Sequence, residues 1–173
     1  MKKTIIMTAQ PAIAKKSGPL TGRAVVPGDK SISHRAVMFG GLAEGETIIS
    51  GLLEGEDVLS TAAAMRALGA EINHDDDGLW RCYGVGAKGL SEAEGLLDMG
   101  NSGTSIRLLM GVVSGYPLNT FFVGDQSLSK RPMGRVTSPL NLLRVIKVVH
   151  RLPSRDPRAC APLTMFCRWL QRR

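Results

Sequence analysis

Cysteine is scarce in this chain. Its three residues among 173 are an odd number that cannot close a disulfide framework, and Cys82 sits in an apolar, strand-like setting that suits a buried thiol. Cys160, Cys167 and His150 fall at no recognised zinc spacing, so no metal site is expected. Long apolar runs are missing as well: none approaches the roughly 20 residues of a membrane helix. No acidic residue precedes Asp29, and Ser17 is the only serine in that stretch. The start, Met1-Lys2-Lys3-Thr4-Ile5-Ile6-Met7, imitates a secretory signal, but Gln10-Pro11 interrupts the apolar stretch and lysines resume at 15 and 16. A plastid transit peptide would carry more serine. Residues 1–20 therefore read as a flexible leader, with the cytoplasm as the expected compartment and no membrane partner.

What is present is concentrated in Pro27-Gly28-Asp29-Lys30-Ser31-Ile32-Ser33-His34-Arg35. Pro27-Gly28 is a turn signal, and Ile32, Ala36, Val37, Phe39, Gly40 and Ala43 recur as one helical face, so a helix should open here. At a helix start the free backbone N–H groups and the positive end of the macrodipole favour a carboxylate or phosphate, and Lys30 and Arg35 add two formal charges. Ser31 supplies a hydroxyl. Arg35, four residues later, returns to the Ser31 face and can hold a planar carboxylate with two parallel N–H bonds. The same residues would also suit an ordinary capped helix with solvated cations. A Walker loop is excluded, because Asp29 stands where that motif has Gly before the Lys.

Two further segments have a related character. Gly100-Asn101-Ser102-Gly103-Thr104-Ser105-Ile106-Arg107 lies between the apolar Leu96-Leu97 and a helical stretch, and its glycines would let backbone amides approach a ligand. Lys130-Arg131-Pro132-Met133-Gly134-Arg135 places cations before another helical run. Between these segments the pattern alternates: strand Ala24 to Val26, helix Ser31 to Ala43, strand Glu46 to Ser50, helix Asp57 to Leu68, then strands Ala70 to Asn73 and Leu79 to Val85 across an Asp75-Asp76-Asp77-Gly78 turn. A helix from Thr104 to Val113, a strand from Asn119 to Val123 and a helix from about Met133 follow. The rhythm predicts an α/β domain.

In this order and spacing, PGDKSISHR (27–35), LLEGEDV (52–58), GNSGTSIR (100–107) and KRPMGR (130–135) resemble the 5-enolpyruvylshikimate-3-phosphate (EPSP) synthase family, over about residues 20 to 140. The resemblance implies an α/β fold: a partial N-terminal enolpyruvyl transferase domain over 21–140, built from βαβαββ repeats, in a protein whose two similar domains flank the active site. It implies transfer of the carboxyvinyl group of phosphoenolpyruvate to the 5-hydroxyl of shikimate 3-phosphate, with release of phosphate, by a monomer without metal or organic cofactor. Matched residue by residue, Lys30 would reach both substrates, Ser31 and Arg35 would hold the ring carboxylate of shikimate 3-phosphate, and Arg131 would hold phosphoenolpyruvate. Gly103 would admit phosphoenolpyruvate and the competing herbicide glyphosate, with Asp57 and Asn101 as supporting polar residues. Leu108 stands where many members have Pro, on the helix carrying Gly103. The related UDP-N-acetylglucosamine enolpyruvyl transferases carry a Gly-Ala-Lys-Asn type sequence at the first motif, without the following Ser and Arg. Members of the family are more than twice this long. Their Ser-Ala-Gln loop and the acid and base groups of the second domain have no counterpart here, so no catalytic residue is assigned and the chain alone is expected to be inactive.

Residues 141–173 differ in composition. They hold eight Lys or Arg against the single acid Asp156 and no glycine, whereas the first 140 carry fourteen charges of each sign and all 20 glycines. The pI of about 9.7 therefore belongs to the tail. One reading is a basic arm for RNA or an acidic surface, helped by Trp169 among arginines. The favoured reading is a shifted frame: Arg168 to Arg173, written with the permitted codons CGA TGG CTT CAG CGC AGG and read from the third base, becomes Met-Ala-Ser-Ala-Gln, which resembles the family's downstream loop. No nucleic-acid partner is expected.

Overall fold

The computed structural model describes residues 13–19, 21–142, 146–150 and 165–169. Most of the expected leader and much of the basic tail, Cys160 included, lie outside the described residues. The Asp29 carboxylate accepts a hydrogen bond from the Ile32 N–H at 2.8 Å and caps α1 (Lys30–Leu42), so the helix begins at the cation of the first motif. Its buried face is Ser33, His34, Val37, Met38, Gly40 and Gly41. The expected apolar face is thus partly wrong, since Ile32 and Phe39 remain 62% and 66% exposed. The reason is close packing: a Cβ on Gly40 would stand 3.0 Å from that of Cys82, so small residues, not large ones, meet the sheet.

From α1 the chain forms β1 (Glu46–Ile49), α2 (Glu56–Ala67), β2 (Glu71–His74) and β3 (Trp80–Tyr83), the strands pairing antiparallel in the order β1-β3-β2. The β2–β3 connection is the expected aspartate turn, closed by Gly78 N–H to the Asp75 carbonyl at 3.0 Å. On β3, Trp80 and Cys82 point inward, while Arg81 bonds Asp75, Asp77 and Glu46 outside. A one-turn 3₁₀ helix at Gly86–Lys88 leads to β4 (Leu97–Asp98), α3 (Gly103–Val113), β5 (Asn119–Val123), the short α4 (Gln126–Ser129), α5 (Gly134–Leu142), β6 (Ile146–His150) and β7 (Met165–Trp169). Here β4 and β5 are parallel across the α3 crossover, and β5-β7-β6 are antiparallel.

The two stretches are the same unit used twice. The second reads β4-α3-β5-α5-β6-β7, and its β5-β7-β6 order repeats β1-β3-β2, with α1 equivalent to α3 and α2 to α5. Strands β6 and β7 come from the tail that composition sets apart. The first unit lacks its opening strand: residues 24–26 form none, and Val25 and Val26 are 92% and 78% exposed, with no strand edge beside them among the described residues. One core runs through both units, from Val37, Met65, Leu68 and Ile72 to Ile106, Leu109, Met110 and Phe122, all at most 1% exposed. Full burial of each such side chain contributes about 1.5–3 kcal/mol.

Candidate anion-binding site

At the start of α1, Lys30 forms an ion pair with Asp57 in the first turn of α2. The lysine is half exposed, so the pair is worth about 0–1 kcal/mol and orients the ammonium more than it holds the fold. Ser31 and Arg35 are exposed and their side chains have no partner among the described residues, which leaves a hydroxyl and a guanidinium available. Below them Ser33 Oγ donates to the Asp29 carbonyl at 2.8 Å and accepts from the Leu53 N–H at 3.0 Å, fastening the first motif to the second. Gly28 is pressed against the same segment: a Cβ there would lie 2.2 Å from the Gly51 carbonyl oxygen.

The start of α3 is built differently. The loop before it is pinned to the end of β5 by Met99 N–H to the Val123 carbonyl at 2.9 Å and Asp125 N–H to the Gly100 carbonyl at 2.8 Å. Ser102 caps the helix through the Ser105 N–H. Above Gly103 two guanidinium groups converge: a Cβ on this glycine would stand 2.8 Å from Arg107 Nη1 and 2.9 Å from Arg131 Nη1. Arg107 donates to the Gly103 carbonyl at 3.1 Å and the Pro132 carbonyl at 3.2 Å. Arg131 donates to Asn101 Oδ1, and Asn101 Nδ2 donates to Asp125 at 2.8 Å. The Asp125 carboxyl is held below its usual range, first by the Leu128 N–H that it accepts as cap of α4, then by Asn101.

The two helix starts are joined underneath by a buried polar chain. His34 Nδ1 lies 2.8 Å from Thr61 Oγ1, Thr61 Oγ1 lies 2.8 Å from Ser105 Oγ, and Ser105 Oγ lies 2.5 Å from Ser102 Oγ. Both Thr61 and Ser105 also reach the Asp57 carbonyl, at 3.1 and 3.2 Å. All four side chains are fully buried. Burial pushes the His34 pKa below 6.5; Asp57 opposes that shift and Lys30 adds to it.

Of the residues expected from the sequence, the structure gathers Gly103, Arg131 and Asn101 in one cluster, and Lys30 and Asp57 in another beside Ser31 and Arg35. The backbone of Asp57 ties one to the other. Arg107 was overlooked as a site residue, although its place four residues after Gly103 mirrors that of Arg35 after Ser31. Asp125 carries the signal of a cap before a short helix. Nothing in the local pattern marks His34, Thr61 and Ser105 as partners. Two helix N-termini, each with cations beside it, suit a ligand with more than one anionic group.

This doubled α/β unit defines an enolpyruvyl transferase-type domain. The solved structure of EPSP synthase from Acinetobacter baumannii superposes on it with a TM-score of 0.73 at 42% identity, covering 85% of this chain and 32% of that one. The family model described as EPSP synthase (3-phosphoshikimate 1-carboxyvinyltransferase) matches residues 14–151, and the chain belongs to that family. The match ends inside the tail that begins at 141. The 3-phosphoshikimate 1-carboxyvinyltransferase of Novosphingobium aromaticivorans is 65% identical over 127 residues, 73% of this chain and 29% of that protein. That of Paramagnetospirillum magneticum is 58% identical over 151 residues, 87% of this chain and 33% of the relative. The chain thus spans about a third of the length of these relatives.

Proposed function

We propose that this chain provides one wall of a cleft in which the carboxyvinyl group of phosphoenolpyruvate passes to the 5-hydroxyl of shikimate 3-phosphate, with release of phosphate. The observation that carries this reading is the convergence of Arg107 and Arg131 on Gly103, beside a second helix start bearing Lys30, Ser31 and Arg35. Both substrates carry a carboxylate and a phosphoryl group, so each needs two positive contacts at separate points. Lys30 stands between the substrates, Ser31 and Arg35 take the ring carboxylate of shikimate 3-phosphate, and Arg131 takes phosphoenolpyruvate. Asn101 and Asp57 aim Arg131 and Lys30. The reaction develops charge as the phosphoenolpyruvate methylene is protonated, and fixed cations placed beforehand stabilise that charge without reorganising. The acid and base that move the proton are not assigned to this segment. The enzyme works in the cytoplasm as a monomer, without nucleic acid or membrane.

The test replaces the matching segment of the Novosphingobium relative with residues 14–140 of this chain and measures phosphate release from the two substrates. Turnover that disappears with Lys30→Met supports the reading. A folded hybrid with near-normal turnover after Lys30→Met would overturn the role of Lys30, and one that prefers UDP-N-acetylglucosamine as acceptor would overturn the substrate assignment. The 173-residue chain by itself is expected to bind the substrates without turning them over.

A further inference from the structure

The buried chain beneath the site uses atoms that no part of the proposed reaction needs. His34 is on α1, Thr61 on α2, and Ser105 and Ser102 at the start of α3, so the chain crosses the three helices whose first turns present Lys30, Asp57 and Gly103. Polar groups buried this fully are costly unless matched, and a matched set permits one arrangement of its carriers. His34 Nε2 is buried and has no hydrogen-bond partner among the described residues. An imidazolium has two N–H donors and only one partner is offered, so the ring is neutral.

Counting protons fixes the direction at the two ends of the chain. Three hydroxyls carry three protons. With His34 Nδ1–H donating to Thr61 and Ser102 donating to Ser105, a lone pair and not an N–H is left unpaired, and of Thr61 and Ser105 one donates to the other, which donates to the Asp57 carbonyl. In either arrangement Thr61, on α2, bonds His34 on α1 and Ser105 on α3. It is the one hydroxyl of the set bonded to both neighbouring helices, and the Asp57 carbonyl backs it as a shared acceptor of Thr61 and Ser105.

We infer that His34, Thr61 and Ser105 are positioning residues, whose hydrogen-bonded chain sets the separation between the Lys30 and Gly103 halves of the site and so its affinity for a ligand with two anionic groups. The inference rests on the function proposed above for those halves. A ligand gripped at two points gains the second contact fully only when the spacing matches, so the chain acts on binding without touching substrate.

The test uses the full 173-residue chain, isotope-labelled for NMR, with phosphoenolpyruvate as probe. In the parent chain the His34 ring is expected to be neutral with its proton on Nδ1. Thr61→Val keeps the shape and removes the hydroxyl; it should shift the Lys30 and Gly103 amide signals together and weaken phosphoenolpyruvate binding about tenfold. Thr61→Ser keeps the hydroxyl and should restore both to within about twofold. A purely structural role would lower the melting temperature of Thr61→Val while leaving the affinity of the folded protein unchanged. Equal binding by the Val and Ser variants, or unmoved Lys30 and Gly103 signals in Thr61→Val, would overturn the inference. Should Thr61→Val fail to fold, Ser105→Ala carries the same pair of readouts. If the parent chain does not bind phosphoenolpyruvate, the functional reading fails, while the amide shifts still decide whether the chain spaces the two helix starts.

Discussion

The starts of α1 and α3 hold equivalent places in two copies of one unit, yet they gather cations by opposite means. At α1 the ligand-ready groups are local: Lys30, Ser31 and Arg35 sit on the helix itself, and Gly28 lets that start press on the backbone of the 51–53 segment. At α3 the helix contributes space. Gly103 leaves a gap, and one of the two guanidinium groups that fill it comes from Arg131, far along the chain. The same residue type, glycine, therefore serves rigidity at one site and access at the other, because its neighbour is a backbone carbonyl in the first case and flexible side-chain ends in the second.

Substituting the two glycines sharpens this contrast most. Gly28→Ala would drive a Cβ to 2.2 Å from the Gly51 oxygen, and neither backbone can yield cheaply. We expect a loss of about 3 kcal/mol, read as a lower urea midpoint. Gly103→Ala meets only the tips of Arg107 and Arg131, which can swing away. Its stability should stay within about 1 kcal/mol of the parent, since alanine is also the better helix former. Its affinity for phosphoenolpyruvate should fall about tenfold by titration, as charge-assisted contacts are misplaced. If Gly103→Ala destabilised as much as Gly28→Ala, the contrast would collapse.

A smaller effect is expected from pH. Burial lowers the His34 pKa below 6.5. As pH falls, the unfolded chain takes up a proton near 6.5, while the folded protein resists until its own lower value. The stability contribution of neutral His34 is therefore present above 6.5 and is lost as pH falls toward the folded value. His34→Asn should flatten that part of a stability–pH curve measured by thermal melting. An unchanged slope would show that His34 is not the titrating group. The smallest effect belongs to Asp125→Ala at the α3 end. It should lower the melting temperature slightly by uncapping α4, and flatten the stability loss below pH 3.8, where the lowered Asp125 pKa makes its carboxylate a stabilising group that acid removes. The mobility of Asn101 and Arg131, followed by side-chain NMR, should rise in the same variant.

Much of the architecture was legible because its determinants are local. Pro27-Gly28 marks the start of α1, the aspartate turn marks the β2–β3 hairpin, and the Asn119–Val123 alternation gives β5 with the expected ends. The strand expected at Ala24–Val26 failed because a strand exists only beside an edge that pairs with it, and two valines say nothing about such an edge. The short α4 went unseen because four residues carry no readable period. Lys30, Ser31 and Arg35 could be read as one group since they lie within about one helix turn of each other. His34 was not, because a histidine inside a helix carries no mark of the threonine it will meet on another.

By itself the sequence determined the family, through four motifs in order, the start of α1 through its turn signal, and the placement of cations at the helix starts. Only the tertiary structure decided that Arg131 and Arg107 share the space over Gly103, that Lys30 pairs with Asp57, and that one buried hydroxyl links three helices. The physical reason is range: caps, turns and periodicity act within a few residues, whereas burial and hydrogen-bond matching act between side chains that only the packed core brings within 3 Å.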